Sequence, residues 1–452
     1  WNGPWSRQAE DDYDISGERP ERHSPRRPQS RPHISGPSVE FGDFTVRGAA
    51  AEFLQAQEQV SGKAMVPTPI QSLAVLPIYE GESVVLQAPT GTGKSLAYLL
   101  PLLQRLEEEA WRAPRSGLRL LILVPTADLQ MQICGLARAL VGPGRAETVC
   151  MLRRDMDNTA VRGMVVVATP RQVIEMLEDP LTVHAWGPAL GGLDMVVVDE
   201  ADRLVAKWNN HQRKKRHREG LLDPCIRVLK AISEETYKFG RKFNWQLVAA
   251  SATVNRRTQR NLSYSSGVEL ELLRAEGAVM PRGGSVPMGE YVEGPSNWPE
   301  GLKHTMRVVK FFSFNAVMKV VGDTIGDLGA KRVLVAIAAG TDLVPKSEFG
   351  LNPVTGVLRF RLEQDDFKVD TCSKAVEDAT QMWVPSGQDK VKDKNQRAVV
   401  VGTREAIRGI HLDDIDAVII VGDPLSVNEY LHCAGRTCRY RPEVGKPTGG
   451  CV

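Results

Sequence analysis

From about residue 41 to residue 275, short apolar runs alternate with longer segments of helical periodicity. The runs cover 84–86, 120–124, 164–168, 195–198 and 246–250, and the periodic segments include 95–109, 127–140 and 170–177. A strand with no polar position has both faces covered, as in a parallel sheet flanked by helices. Residues 277–299 interrupt this rhythm with dense glycine and proline, as a linker does. The rhythm then returns with a helix at 315–328 and strands at 332–338, 398–401 and 417–421. The pattern predicts two tandem α/β domains over 39–276 and 301–452, joined by a linker at 277–300. In residues 1–38, Pro and Ser recur and Arg19, Arg22, Arg26, Arg27 and Arg31 alternate with Glu10, Asp11, Asp12, Glu18 and Glu21. With almost no large aliphatic residue to offset its ordering entropy, that extension is expected to be disordered or extended.

Composition narrows the class. The 452 residues are 42% hydrophobic and 25% charged, which excludes wholesale disorder. No apolar run reaches the roughly 18 residues of a membrane-spanning helix. Lysine and arginine total 57 against 55 acids, so a histone-like polycation is excluded while local basic patches are not. The seven cysteines are scattered, and none are spaced C-x-x-C, which argues against a disulfide framework or a zinc site and for a reducing, intracellular compartment.

The chemistry starts after the first apolar run. Ala88-Pro89-Thr90-Gly91-Thr92-Gly93-Lys94-Ser95 lies between a strand and a helix, the context a P-loop requires. Glycines let backbone N–H groups approach phosphates, and the helix N-terminus adds partial positive charge. Lys94 suits the β/γ oxygens and Ser95 suits Mg²⁺, so ATP and magnesium are the expected ligands. The strand at 195–198 ends in Asp199-Glu200-Ala201-Asp202. Asp199 is placed to anchor the metal and Glu200 to orient and deprotonate the attacking water. Taken alone, these four residues would read as an acidic helix start. Beside a P-loop, and with Ser251-Ala252-Thr253 closing a later strand, they read as chemistry.

With these motifs the chain resembles the DEAD-box ATP-dependent RNA helicases of superfamily two, which implies two RecA-like parallel-sheet domains. Pro67-Thr68-Pro69-Ile70-Gln71 looks like that family's Q motif, which implies that Gln71 reads adenine; Phe44 or Phe41 is a candidate to stack on the base. The resemblance implies a nucleotide cradle of Thr90, Gly91, Thr92, Gly93, Lys94, Ser95 and Asp199, with Ser95 and Asp199 holding the metal. It implies RNA contacts at Thr126, Thr169, Arg171 and Thr403. Coupling of hydrolysis to domain movement falls to Ser251, Thr253, Asp202 and Arg408, with Arg408 at the domain interface.

The second domain departs from the family pattern. Val401-Gly402-Thr403-Arg404…Arg408-Gly409-Ile410-His411 resembles T-D…R-G-x-D, with Arg404 and His411 replacing aspartates. His432-Cys433-Ala434-Gly435-Arg436-Thr437-Cys438-Arg439 resembles H-R-x-G-R-x-G-R, with Cys433 and Cys438 as replacements. Arg436 and Arg439 remain, and the resemblance makes them catalytic arginine fingers on the γ-phosphate, where one such residue contributes roughly 10³–10⁵-fold in rate. In the first domain, Ala127 stands where the family usually has arginine. The family's glutamine–arginine motif is not recognisable between the strands at 332–338 and 398–401, and the chain stops where such a sheet normally needs a further strand and helix.

The run His211-Gln212-Arg213-Lys214-Lys215-Arg216-His217-Arg218 is open to three readings: an RNA or ribonucleoprotein contact, a targeting signal, or a solvated loop. Two functions follow. One is an ATP-dependent RNA helicase or RNA-remodelling ATPase that binds Mg-ATP and clamps RNA between two domains, in ribosome or other ribonucleoprotein assembly. The other is a degenerate scaffold that binds ATP and RNA structurally with little or no unwinding. Expected partners are ribosomal or other structured RNA and assembly-factor proteins, with no membrane. The arginine-, serine- and proline-rich start without methionine points to the mitochondrion ahead of the nucleolus.

Overall fold

The computed structural model describes residues 36–275 except 63, 89–90, 113–116, 154–162, 206–222, 239, 241–244 and 255. Beyond these it describes 302–303, 305–307, 313–337, 351–362, 367–381, 397–407, 412, 415–422, 430, 433–434, 437, 440–441, 446–447 and 450–451. No helix among the described residues is long and apolar enough to cross a membrane.

In the first lobe a hairpin, β1 (Ser38–Phe41) and β2 (Phe44–Arg47), precedes α1 (Ala49–Ser61) and α2 (Pro69–Glu80). There follow β3 (Val84–Gln87), α3 (Lys94–Arg112), β4 (Leu120–Leu123), α4 (Ala127–Val141), β5 (Val149–Met151), β6 (Val165–Ala168) and α5 (Pro170–Glu178). The lobe continues through α6 (Val183–Gly191), β7 (Met195–Asp199), α7 (Ala201–Leu204), α8 (Pro224–Lys238), β8 (Gln246–Ser251), α9 (Arg256–Ser266) and β9 (Glu271–Arg274). All seven sheet strands run parallel in the order β5-β6-β4-β7-β8-β3-β9. The five apolar runs contain its inner strands, and every residue of β3, β4, β6, β7 and β8 is buried.

Period-two alternation assigns those residues to two faces. Val84, Leu86, Leu120, Ile122, Val165, Val167, Met195, Val197, Val248 and Ala250 share one core cluster with apolar positions of α1 to α4. Val85, Leu121, Leu123, Val166, Val196, Val198, Leu247 and Ala249 join a second cluster with α5, α6, α8 and α9. At about 1.5–3 kcal/mol for each fully buried aliphatic side chain, both layers are needed to offset the ordering of so long a chain. The strands β5 and β9 fall outside the sequence expectation. They lie at the sheet edges, are only partly buried, and lack the unbroken apolar run of a central strand.

The second lobe comprises β10 (Leu302–Lys303), α10 (Phe314–Leu328), β11 (Arg332–Ile337), α11 (Asn352–Arg361), β12 (Phe367–Thr371), α12 (Cys372–Gln381), β13 (Arg397–Thr403) and α13 (Arg404–Ile407). It ends with β14 (Ala417–Val421), a short hairpin of β15 (Tyr440–Arg441) and β16 (Lys446–Pro447), and β17 (Gly450–Cys451). Its six-stranded sheet is parallel in the order β10-β17-β14-β11-β13-β12. Thus Gly450–Cys451 supplies a strand beside β14 where the sequence suggested that one was lacking. Cys433 is buried with Leu334, Val400 and Val418, and Met131 of α4 packs against the same cluster.

Candidate functional site

Strand register brings the site together. Gln87 of β3 pairs with Ser251 of β8, Leu123 of β4 pairs with Val198 of β7 and Ala168 of β6, and Asp199 pairs with Ala250. The carboxyl ends of all five strands therefore lie on one edge of the sheet, where parallel α/β folds bind ligands.

The phosphate turn after β3 leads directly into α3. Gly91 and Gly93 adopt φ of 80° and 82°, a left-handed region that other residues enter at a cost. The Q-motif segment braces this turn. The Thr68 hydroxyl donates to the Thr92 carbonyl at 2.7 Å, and Gln71 Nε2 donates to the Gly93 carbonyl at 3.1 Å. Gln71 Oε1 accepts from the Thr68 N–H at 2.9 Å, completing a capping box that starts α2. A carboxamide has two lone pairs and two N–H bonds, so one of each remains for a base edge. Phe41 and Phe44 are both buried, with Phe44 edge-on to Tyr79 at 5.1 Å between ring centroids. The hairpin spends both rings on core packing, which leaves neither free for the base stacking expected of one of them.

Lys94 is buried and its ammonium donates to the Ala88 carbonyl at 2.9 Å. Asp199 and Glu200 are buried at the end of β7. Glu200 has φ 49° and ψ 49°, the sole positive-φ residue other than glycine among the described residues. Such backbone costs about 1–3 kcal/mol and concentrates where function demands it; here it turns the chain from β7 into α7. Burial, and then the neighbouring Glu200, push the Asp199 carboxyl up to about 6, against opposing stabilisation by Tyr98, Lys94 and the Glu200 N–H. This donor set fits a magnesium–nucleotide complex. Two buried carboxylates beside one lysine leave negative charge that a divalent cation would neutralise, with Ser95 and Asp199 to hold it. The sequence reading did not single out Tyr98, which donates to Asp199 Oδ2 at 2.8 Å. Its only sequence signal is a phenol on the buried side of α3, one turn beyond Lys94.

The last acid, Asp202, accepts from Ser251 Oγ at 2.5 Å and Thr253 Oγ1 at 2.6 Å, tying α7 to the end of β8. Thr126 and Thr169 cap α4 and α5, their hydroxyls accepting from Leu129 N–H at 3.3 Å and Gln172 N–H at 3.4 Å. Each stands at a helix N-terminus, whose free N–H groups suit an anion. Arg171, next to the α5 cap, keeps 79% of its side chain exposed while it pairs with Glu175 at 3.3 Å. Thr403 caps the one-turn α13 through the Ala406 N–H at 3.3 Å. Thr90, Arg408, Arg436, Arg439 and the basic run at 211–218 lie outside the described residues.

Residues 68–262 match the family model described as DEAD/DEAH box helicase, and residues 361–441 match the helicase conserved C-terminal domain. The chain belongs to the DEAD-box helicase family. Among curated relatives it is 25% identical over 395 residues to the DEAD-box ATP-dependent RNA helicase CshC of Bacillus cereus, covering 86% of this chain and 82% of that one. It is 35% identical over 172 residues to the ATP-dependent rRNA helicase RRP3 of Scheffersomyces stipitis, covering 37% of this chain and 33% of that one. A solved structure of Mss116p bound to single-stranded RNA and AMP-PNP shares the fold at a TM-score of 0.59 and 21% identity, over 89% of this chain and 71% of that one. This DEAD-box chain is an enzyme of the ATP-dependent RNA helicase class.

Proposed function

We propose that the chain binds Mg-ATP on the first-lobe edge, hydrolyses it, and uses the cycle to grip and release the sugar-phosphate backbone of a structured RNA during ribosome or other ribonucleoprotein assembly. When bound, the magnesium–nucleotide complex supplies the γ-phosphoryl electrophile. The protein's own residues do the rest in this reading. Lys94 neutralises phosphate charge, Glu200 orients a water and takes its proton, and the α4 and α5 N-termini with Arg171 hold RNA phosphates. The observation that carries the proposal is the Asp202 bridge to Ser251 and Thr253, which links the carboxylate strand to the segment at the end of β8. The rRNA helicase among the relatives supports the assembly setting.

A second reading has its own support. Arg404, His411, Cys433 and Cys438 replace residues of the family's second-lobe pattern, which favours a scaffold that closes on ATP without efficient turnover. RNA-stimulated ATP hydrolysis separates the two. On the enzyme reading, RNA raises turnover, and Glu200→Gln and Arg436→Ala each abolish the rise. Background turnover in all three proteins, with RNA retention that still depends on ATP, establishes the scaffold instead. Unchanged ATP affinity in Lys94→Ala would overturn the assignment of the phosphate turn itself.

A further inference from the structure

Tyr98 lies on α3, three residues beyond Ser95 and four beyond Lys94, and is completely buried. A phenol hydroxyl taken out of water costs free energy unless it finds a partner, so the atoms it meets are informative. It donates to Asp199 Oδ2 at 2.8 Å, across the gap between α3 and the end of β7. The other carboxylate oxygen, Oδ1, accepts the Glu200 N–H at 2.8 Å. Each oxygen of Asp199 is therefore held by one fixed donor, so the carboxylate plane is set from both sides. Ser95 stands one turn before Tyr98 on the same helix, at the start of α3. One buried phenol thus holds the carboxylate assigned to the metal from the helix that carries Ser95.

We propose that Tyr98 is a positioning residue that fixes the orientation of Asp199, across from Ser95, for the magnesium of a bound nucleotide. The inference rests on the reading that these two residues hold that ion. The hydrogen-bond inventory permits both roles together. Each carboxylate oxygen has two lone pairs, so one on Oδ1 and one on Oδ2 remain for the ion or its waters while Tyr98 and Glu200 use the others. A phenylalanine of the same shape would pack against the sheet equally well; only the hydroxyl reaches Asp199. Partners that orient metal-binding groups in this way typically change metal affinity by about 10–100-fold when removed.

The test measures metal dependence rather than turnover alone. Binding of a fluorescent ATP analogue to the full chain is titrated with Mg²⁺ and repeated in EDTA, for the parent and for Tyr98→Phe. The expected result is unchanged affinity in EDTA and a half-saturating Mg²⁺ concentration raised by about 10–100-fold, with turnover recovered at high Mg²⁺. An unchanged Mg²⁺ requirement overturns the proposal. Equal loss of binding with and without metal also overturns it, because that outcome shows a purely structural role. A pair of replacements at position 98 keeps the test decisive should the phenylalanine variant fail to fold. Tyr98→4-aminophenylalanine keeps a donor and is expected to behave as the parent, whereas Tyr98→4-methylphenylalanine, of similar size, is expected to need more Mg²⁺; identical behaviour of the two refutes the role. Asp199→Asn tests the underlying reading independently. If it leaves the Mg²⁺ requirement of the parent unmoved, the metal assignment is wrong, whatever Tyr98 does.

Discussion

Replacing Asp202 with alanine removes the acceptor of two hydroxyl hydrogen bonds, from Ser251 Oγ at 2.5 Å and Thr253 Oγ1 at 2.6 Å. Ser251 is fully buried, so its hydroxyl cannot turn to water when the carboxylate is lost. Hydrogen bonds to a charged group contribute about 1.5–3 kcal/mol each, which sets an upper bound of about 3–6 kcal/mol for the pair. Asp202 and Thr253 are only half-buried, so water recovers part of the loss and the expected cost is about 2–4 kcal/mol. In a lobe of this size each kcal/mol lowers the melting temperature by about 2–4 °C, giving a fall of about 4–16 °C. The sharper quantity is the coupling between partners. A double-mutant cycle of Asp202→Ala with Thr253→Val should give an interaction energy of about 1–2 kcal/mol, because the two side chains share one bond. Urea unfolding of the full chain, followed by tryptophan fluorescence, reads it, since Trp186 and Trp245 are buried in the first lobe. A coupling below about 0.5 kcal/mol, the range of independent sites, would refute the claim that this acid binds α7 to the end of β8.

Two other outcomes follow from the same packing. A Cβ at Gly93 would sit 2.2 Å from Gln71 Nε2, and φ there is +82°. Gly93→Ala should therefore expel the Gln71 carboxamide, cost about 2–3 kcal/mol from left-handed strain plus one lost hydrogen bond, and weaken nucleotide binding; ATP-analogue affinity equal to the parent's would show that this brace is unimportant. Burial raises the Cys134 thiol to about 11 and raises Cys225 further, the latter with added repulsion from Asp223. A raised value means the neutral thiol persists at pH 8, where the reactive thiolate is scarce. Iodoacetamide should leave both unlabelled in the native chain and label both in urea, as mass spectrometry would show; native labelling of Cys134 would contradict its burial.

What the sequence determined by itself was the part of the structure written in local pattern. Unbroken apolar runs identified the five inner strands of the first sheet and β11, β13 and β14 of the second, because a strand covered on two faces favours an unbroken apolar run. The phosphate turn and the Asp199–Asp202 segment were likewise visible, since each depends on neighbours within a few residues. The edge strands β5 and β9 were not visible, because an edge strand buries one side poorly and needs no distinctive run. Tertiary structure alone decided the contacts that make the site a unit. Tyr98 meets Asp199, Gln71 meets Gly93, and Ser251 meets Asp202 across 101, 22 and 49 residues. Such meetings depend on strand order and register, which the spacing of motifs along the chain does not encode. The same reason explains Phe41 and Phe44: an aromatic upstream of a nucleotide motif can stack on a base or fill a core, and only the packing of the β1–β2 hairpin against Tyr79 assigned them to the core.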